Sequence, residues 1–259
     1  MTGQISPDHL PNVSTNVYHH FNYVSGTVAL TGECINGYHK NGKYYLTNNK
    51  EEVAYYKQKA ADLLSKAQPL MEIFRLPNKN LFQAFLMSDA KEDGKRHNIL
   101  SSPPIYTISP ELLENILNRN NVSDTMKDSI LKFAEQQKAL TQTILQNSSV
   151  LDEINILSSK EFEMYPVNLS LDGAFIETDI PYTYEEYLAH MNLTKEFAES
   201  HENYTINDTS TQAFRNIQIH ILEGKYVMIS KMKTPVIHFV IRHPKMVNAL
   251  ESFIAPVVY

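Results

Sequence analysis

The chain has 259 residues, of which 42% are apolar and 20% are charged, and its formal net charge is −6 at pH 7. These proportions are typical of a globular protein and exclude a disordered chain, a collagen-like chain and a coiled-coil rod. The charge is uneven, because residues 101–200 contain 6 basic and 16 acidic side chains. Such an acidic middle third repels nucleic acid, so we do not expect the whole chain to wrap DNA.

Several classes of site and segment have no signature in this sequence. The apolar runs are too short to cross a bilayer, and residues 1–10 lack the features of a signal peptide. Cys34 is the single cysteine, so no intrachain disulfide can form, which suits a reducing cytoplasm. There is no glycine-rich phosphate loop, P-loop lysine or H-E-x-x-H pair. We therefore expect a cytoplasmic protein without a cofactor, a metal or a membrane segment.

The first 49 residues are predicted to contain a polar lead-in and a small hairpin. Residues 1–16 are polar and show no periodicity, and residues 17–47 are rich in Tyr, Asn and Gly. Within the second stretch, Asn41-Gly42 is a type I′ turn signal. We interpret residues 1–49 as one region, separate from the helical part that follows.

Residues 50–157 are predicted to form a helical part. Apolar residues recur at helical spacing from Val53 to Ala67, and Pro69 then breaks or kinks the helix. Short helices are predicted over 70–76 and 79–87, and a charged loop over 88–98.

Two longer helices complete this part. Ser109-Pro110 is a strong start for a helix that continues to about Arg119, since Ser caps helices and Pro suits their first position. Ser123 is the predicted cap of the next helix, which continues to about Gln146.

The second of these helices has a heptad seam. One interpretation is a dimerisation helix, in which a single buried polar residue sets the register. The other is a core helix of a monomeric bundle, because three heptads are the minimum for a coiled coil. The seam consists of Met126, Ile130, Phe133, Gln137, Leu140 and Ile144.

Residues 160–259 are predicted to be an α+β part with a mainly antiparallel sheet and helices on one face. A strand–turn–strand unit is predicted over 166–180, and the T-x-x-E capping box at Thr183 opens a helix to about Ser200. A hairpin is predicted around Glu223-Gly224, followed by a buried strand over 235–242 and a helix from Lys245 to about Ile254.

The candidate ligand site is a cluster of His and Arg residues near the end of the chain. His238 and Arg242 are four apart on one predicted strand and so share a face. His220 could approach His238 if their strands are neighbours, and His243 stands at a helix N-terminus, which favours anions. We predict that these four residues line a pocket for a small anionic ligand. The alternative is a core histidine with a solvated basic rim.

Three stretches resemble a known family. They are R-H-N-I-L-S-S-P-P-I-Y-T from Arg96, Y-T-Y-E-E-Y-L-A-H from Tyr182, and the long stretch from Ala213 that ends in V-I-H-F-V-I-R-H-P-K. They resemble the C-terminal regions of Firmicute helix-turn-helix transcriptional regulators of the XRE class. The resemblance covers about residues 45–259 and implies a ligand-sensing or dimerising regulatory body. The DNA-binding module typical of that family is not visible in residues 1–45.

The leading hypothesis is therefore the effector-binding and homodimerising body of a cytoplasmic bacterial transcriptional regulator, which contacts DNA only through a module not visible here. One alternative is an enzyme that acts on a small anionic substrate through the His/Arg cluster. Another is a non-catalytic protein-interaction module. Mass in solution and binding or turnover of small ligands discriminate among the three.

Overall fold

The computed structural model describes residues 7–11, 17–24, 26–35, 37–176, 178–209 and 215–252. Most of the predicted lead-in, and the predicted end of the last helix near Ile254, lie outside these residues. The chain divides after Leu70 into two compact units, residues 1–70 and 71–259. The boundary predicted near residues 157–160 lies within the second unit, between a strand and a helix of that unit.

The first unit is built around a three-stranded antiparallel sheet and one helix. Its order is β2-β3-β4, and a short β1 pairs with β5. The predicted reversal before residue 43 is present, but the type I′ turn is wrong: among the described residues neither Asn41 nor Gly42 has a positive φ, and His39–Asn41 is a 3-10 turn. The elements are β1 Asp8–His9, β2 Val17–Val24, β3 Val28–Ile35, β4 Lys43–Thr47, α1 Lys50–Leu64 and β5 Gln68–Pro69.

The second unit contains a seven-stranded sheet in the order β6-β12-β11-β10-β7-β8-β9. The pairs from β6 to β7 are antiparallel, whereas β7, β8 and β9 are parallel. The predicted α+β class is confirmed. The strands are β6 Met71–Phe74, β7 Gly94–Leu100, β8 Ser148–Ile154, β9 Tyr204–Asp208, β10 Ile217–Leu222, β11 Tyr226–Lys231 and β12 Ile237–Ile241.

Helices pack on both faces of this sheet, so the predicted placement on one face is wrong. Val247 of the last helix packs on Ile219 and Val227, on one face of β10 and β11. The residues that alternate with these face the other helices, which cover the opposite side. The helices of this unit are α2 Lys79–Asp89, α3 Pro110–Arg119, α4 Asp124–Asn147, α5 Ser159–Met164, α6 Tyr184–Glu199 and α7 Pro244–Glu251.

Three segments differ from their sequence predictions. Residues 71–74 form β6, although a helix was predicted over 70–76, because four residues are too few for periodicity to distinguish strand from helix. Residues 94–100 form a central strand in place of the predicted loop. The unit predicted over 166–180 contains a 3-10 turn, Asp172–Ala174, and one isolated bridge between Asn168 and Pro181.

The missed strands β7 and β8 have polar side chains on a buried face. In β7, Arg96 lies inside with an exposed fraction of 7%, and in β8 Asp152 is completely buried. Buried polar residues hide the alternation of apolar and polar side chains by which a strand is normally recognised. The composition of β7, G-K-R-H-N-I-L, therefore led to the prediction of a loop, although these residues form a strand.

The remaining predicted helices and strands are present, as far as the described residues extend. Helix α3 begins after Ser109, whose hydroxyl accepts a hydrogen bond from the Leu112 amide. The hairpin β10–β11 turns at Glu223-Gly224, and every residue of β12 is buried. Gly224 has φ +70°, a conformation that favours glycine.

We expect Thr183→Ala to lower the free energy of unfolding by about 1 kcal/mol, because it removes the N-cap of α6. The Thr183 hydroxyl accepts from the Glu186 amide at 3.2 Å, and the Glu186 carboxylate accepts from the Thr183 amide at 2.7 Å. Urea unfolding measures the change. Thr143→Ala, within α4 and away from its ends, is the control, and an equal loss in both variants would contradict a capping role.

Candidate functional site

The two predicted histidines lie on the face of the sheet opposite α7, in two adjoining rows of polar residues. One row contains Asp152, Asn98 and His220 on β8, β7 and β10. The next contains Ser230 and His238, paired across β11 and β12. Strand β11 lies between β10 and β12, so the two histidines share a face but their strands are not neighbours.

Asp152 is the most buried charged residue of these rows and accepts three hydrogen bonds. The Asn98 amide donates to Oδ1 at 2.7 Å, the Tyr106 hydroxyl donates to Oδ2 at 2.7 Å, and the Tyr204 hydroxyl also donates to Oδ2. Removal from water nevertheless raises the pKa of Asp152, because desolvation outweighs the three donors. Burial, reinforced by Asp152, raises the pKa of both tyrosines.

The hydrogen bonds determine the tautomers of both histidines. Because the Asn98 amide NH₂ donates to Asp152, its Oδ1 accepts from Nδ1–H of His220 at 3.0 Å, which leaves Nε2 of His220 as an acceptor. His238 donates from Nε2 to the Asp172 carbonyl at 3.2 Å and accepts from the Ser230 hydroxyl at 2.8 Å. Burial lowers the pKa of both histidines, so both imidazoles are neutral at pH 7.

A cavity of about 150 Å³ lies over these rows, between α2 and α4, and we call it the helix cleft. Leu86 and Asp89 line it from α2, Gln137 and Leu140 from α4, and His220 from the sheet. Both predicted histidines therefore line one cavity.

Arg242 and His243 lie outside this cavity. The exposed Arg242 guanidinium donates from Nε to Glu72 at 3.0 Å and lies 5.4 Å from the centre of the Tyr226 ring. His243 is the N-cap residue of α7 and is partly exposed. The four predicted ligand residues are thus brought together only in part.

The heptad seam of α4 packs against the interior of its own chain. Ile130 and Phe133 are buried in the core, with Met126 packed against it. Gln137 and Leu140 line the helix cleft, and Ile144 packs in a smaller cluster with Val150 and Tyr204. This placement is that of the core-helix alternative. A homodimer remains a prediction, and it would need a surface other than the buried positions of this seam.

A second, larger cavity of about 290 Å³ lies at the carboxyl ends of the parallel strands, and we call it the strand-end cavity. Leu100 and Ser101 at the end of β7, Asn155 after β8 and Thr209 after β9 all line it. Ligands commonly bind outside the carboxyl ends of parallel strands, which is where this cavity lies.

The strand-end cavity combines an apolar interior with charged groups at its rim. The apolar side chains include Leu100, Val167, Leu169 and Leu171, all buried. The charged groups at the rim are Arg215, Lys233 and Asp179, whereas Asp172 is a buried carboxylate of the lining.

Arg215 is held in place by an aromatic ring. Its guanidinium carbon lies 3.1 Å from the centre of the Tyr165 ring, as in a cation–π contact. In the described part of the chain, Lys233, Asp179 and the Asn155 side chain make no hydrogen bond or ion pair, so their polar atoms are open to a ligand.

Hydrogen bonds hold residues 166–176, which form one wall of this cavity. The Ser102 hydroxyl donates to the Asn168 carbonyl at 2.7 Å, and the Leu169 amide donates to the Ile180 carbonyl at 2.9 Å. The Ser170 hydroxyl donates to Asp172 at 3.1 Å. These contacts make the wall a defined surface rather than a loose loop.

Sequence reasoning missed the strand-end cavity, because its lining comes from connections far apart in the chain. The available signal was the position of Ser101-Ser102 and Asn155 directly after strands, but β7 and β8 were themselves not predicted. Neither Lys233 nor Arg215 is among the four predicted ligand residues.

Other classes of site find no support in the described residues. No three His, Cys, Asp or Glu side chains in the described ranges come together to hold a metal ion. Within those ranges, no helix has the length and apolarity needed to cross a membrane. No protein-family model matches the chain, and no curated protein is similar to it in sequence.

Proposed function

We propose that the second unit binds a small ligand in the strand-end cavity and is the ligand-sensing body of a bacterial transcriptional regulator. The observation that carries the proposal is a cavity of about 290 Å³ with an apolar interior and charges of both signs. Its volume is near the lower limit for small-molecule sites, which favours a metabolite over a larger ligand.

The charges at the rim favour a ligand with both a carboxylate and an amino group. Arg215 and Lys233 can pair with a carboxylate, and Asp179 and the Asn155 amide oxygen can accept from an ammonium group. The apolar interior then takes an aliphatic side chain, whose burial contributes about 25 cal/mol per Å². A free amino acid with an aliphatic side chain, such as leucine, has this combination of groups.

The regulatory part of the proposal is supported by the stretches that resemble XRE-class regulators. They coincide with β7 and the connection after it, the start of α6, and the strands β10 to β12. Strand β7 and the connection after it line both cavities, α6 lines the strand-end cavity, and β10 to β12 line the helix cleft. A ligand that binds one arrangement of them better than another would shift the balance between two states, as a sensor requires.

An enzyme that uses the predicted His/Arg cluster is less favoured by the geometry. Both ring nitrogens of His238 are hydrogen-bonded, and Arg242 pairs with Glu72 outside the helix cleft. His220 alone of the four has a ring nitrogen that faces a cavity without a partner among the described residues. A catalytic centre needs several such groups in mutual reach.

We expect leucine to bind the protein saturably in isothermal titration calorimetry, and Arg215→Gln and Lys233→Gln to weaken it by roughly tenfold each through loss of a charged hydrogen bond. Two matched probes test the ammonium and carboxylate groups of leucine one at a time. 4-Methylpentanoate lacks the amine and isoamylamine lacks the carboxylate, and we expect both to bind more weakly than leucine. Lys95→Gln, an exposed change outside the cavity, is the control.

Equal binding of leucine and of both probes, or an equal loss of binding in Lys95→Gln, would contradict the assignment of the charges. If the protein converted leucine chemically, it would be an enzyme rather than a sensor. Light scattering with and without leucine tests the homodimer, for which a sensor of this class predicts twice the chain mass of 29.7 kDa.

A further inference from the structure

The helix cleft contains two buried polar atoms that have no hydrogen-bond partner among the described residues. They are Nε of Arg96 and Oδ1 of Asp89, on side chains with exposed fractions of 7% and 8%. The two residues pair through Nη1 and Oδ2 at 2.7 Å, and Nη2 of Arg96 donates to the Asp89 carbonyl at 2.7 Å. One donor and one acceptor are therefore left over on two residues that line the same cavity.

Buried polar atoms in native proteins are nearly always satisfied, and an exception calls for an explanation such as a bound molecule. The same cavity offers a third group, since Nε2 of His220 is an acceptor and Nδ1 is held by Asn98. Arg96 and His220 lie on neighbouring strands of one sheet face, two positions apart in register. Both residues line the helix cleft, so one small molecule can lie beside both.

The protein balances one charged pair of the cleft, and the Asp172 carboxylate, which also lines the cleft, accepts a hydrogen bond from the Ser170 hydroxyl at 3.1 Å. Asp89 is paired with Arg96, and both ring nitrogens of His238 are bonded within the protein. Burial favours the neutral forms of His220 and Asp152. An anion would enter this cavity beside the Asp172 carboxylate, without a counter-charge, and would lose its hydration, whereas a neutral molecule with donors and acceptors needs no counter-charge.

The shape of the lining also limits the ligand. The rings of Phe82, Phe133, Tyr106 and Tyr226 all contribute, in a cavity of about 150 Å³. Flat rings pack well against such walls.

We propose that the helix cleft is a second ligand site, distinct from the strand-end cavity, for a small neutral planar molecule that carries both hydrogen-bond donors and acceptors. Its acceptor would face Arg96 Nε–H, and its donors would face Asp89 Oδ1 and His220 Nε2. This proposal does not depend on the ligand of the strand-end cavity.

The test uses three probes that share a pyridine ring. Nicotinamide is neutral and carries a hydrogen-bond donor and an acceptor, nicotinate carries a carboxylate, and pyridine lacks the amide group. Saturation-transfer NMR and titration of the full chain at pH 7.4 measure binding. We expect nicotinamide to bind, and nicotinate and pyridine to bind at least about tenfold more weakly, because one lacks a counter-charge and the other lacks the donors.

Filling variants separate the two cavities. Leu140→Trp on α4 narrows the helix cleft and leaves its polar rows intact, and Gln137→Trp is a second variant at the same cavity. Met164→Trp, an exposed residue at the strand-end cavity, is the matched control. We expect the α4 variants to abolish nicotinamide binding and to preserve leucine binding, and Met164→Trp to do the reverse.

Three results would overturn the proposal. They are no nicotinamide binding at tens of millimolar, equal affinities for nicotinate and nicotinamide, or loss of nicotinamide binding in Met164→Trp alone. The first would mean that ordered water satisfies the cleft. Circular dichroism verifies that each variant is folded, so that loss of binding reports on the cavity. A failure of leucine to bind anywhere would contradict the proposed function and leave this test unaffected.

Discussion

Arg96→Met is expected to lower the free energy of unfolding by about 3–5 kcal/mol, since it leaves the Asp89 carboxylate buried without its cation. The pair spans the end of α2 and the central strand β7, with 2.7 Å between Nη1 and Oδ2. Arg96 also donates to the Asp89 and Glu92 carbonyls, so the substitution removes their donor as well. Urea unfolding at pH 7 measures the loss.

Two further variants define the cause of that loss. The double change Arg96→Met/Asp89→Leu removes both charges and should regain most of the stability, as apolar replacements of buried pairs do. Lys127→Met breaks the pair with Asp124, whose side chain is 98% exposed, and should cost less than about 1 kcal/mol. A double variant as unstable as the single one would contradict this account and point to lost packing instead.

The second large effect is acid destabilisation through His190. This residue is fully buried on α6, and its ring nitrogens are hydrogen-bonded with the hydroxyls of Thr107 and Tyr182 at 3.1 and 2.8 Å. Burial lowers the pKa of His190 to about 3. In the unfolded chain the ordinary pKa of a histidine is about 6.5.

The sign follows from these two pKa values. Above pH 6.5 the imidazole is neutral in both states, and the stability is fully present. Between pH 6.5 and about 3 the unfolded chain binds a proton that the folded protein excludes, so stability falls as the pH decreases. The loss is about 1.4 kcal/mol per pH unit, or roughly 3 kcal/mol by pH 4.

We therefore expect His190→Gln to be less stable than the wild type at pH 8. Between pH 6 and 4, its free energy of unfolding should fall less steeply with decreasing pH, by the slope that corresponds to about one bound proton. Urea unfolding at a series of pH values gives both quantities. Met191→Ala, the fully buried neighbour on α6, is the control, because it should lower stability equally at every pH. His220 and His238 also have lowered pKa values, so some acid destabilisation must remain in the His190 variant.

The candidate site was only partly accessible from the sequence. His220 and His238 could be placed on strands from the alternation around them and from the apolar run before Arg242. That the two histidines line one cavity depends on α2 and α4, which pack over the strands from far away in the chain. The strand-end cavity depends equally on distant connections, such as those that contain Asn155 and Arg215.

The sequence by itself determined the elements whose signals are local. The Ser109-Pro110 start of α3, the capping box at Thr183, the turn at Glu223-Gly224 and the apolar run of β12 are each specified by neighbouring residues, because caps, turns and periodicity act over a few positions. The long amphipathic pattern of α4 likewise predicted its bounds to within a residue or so.

Only the tertiary structure decided which polar residues are inside. Asp152 and Arg96 are buried in β8 and β7, where partners on other elements satisfy most of their hydrogen-bonding groups. A sequence pattern cannot reveal such partners, so both strands escaped prediction. The same packing turned the seam of Ile130 and Phe133 towards the protein's own core, since apolar side chains bury against whichever surface the fold brings to them.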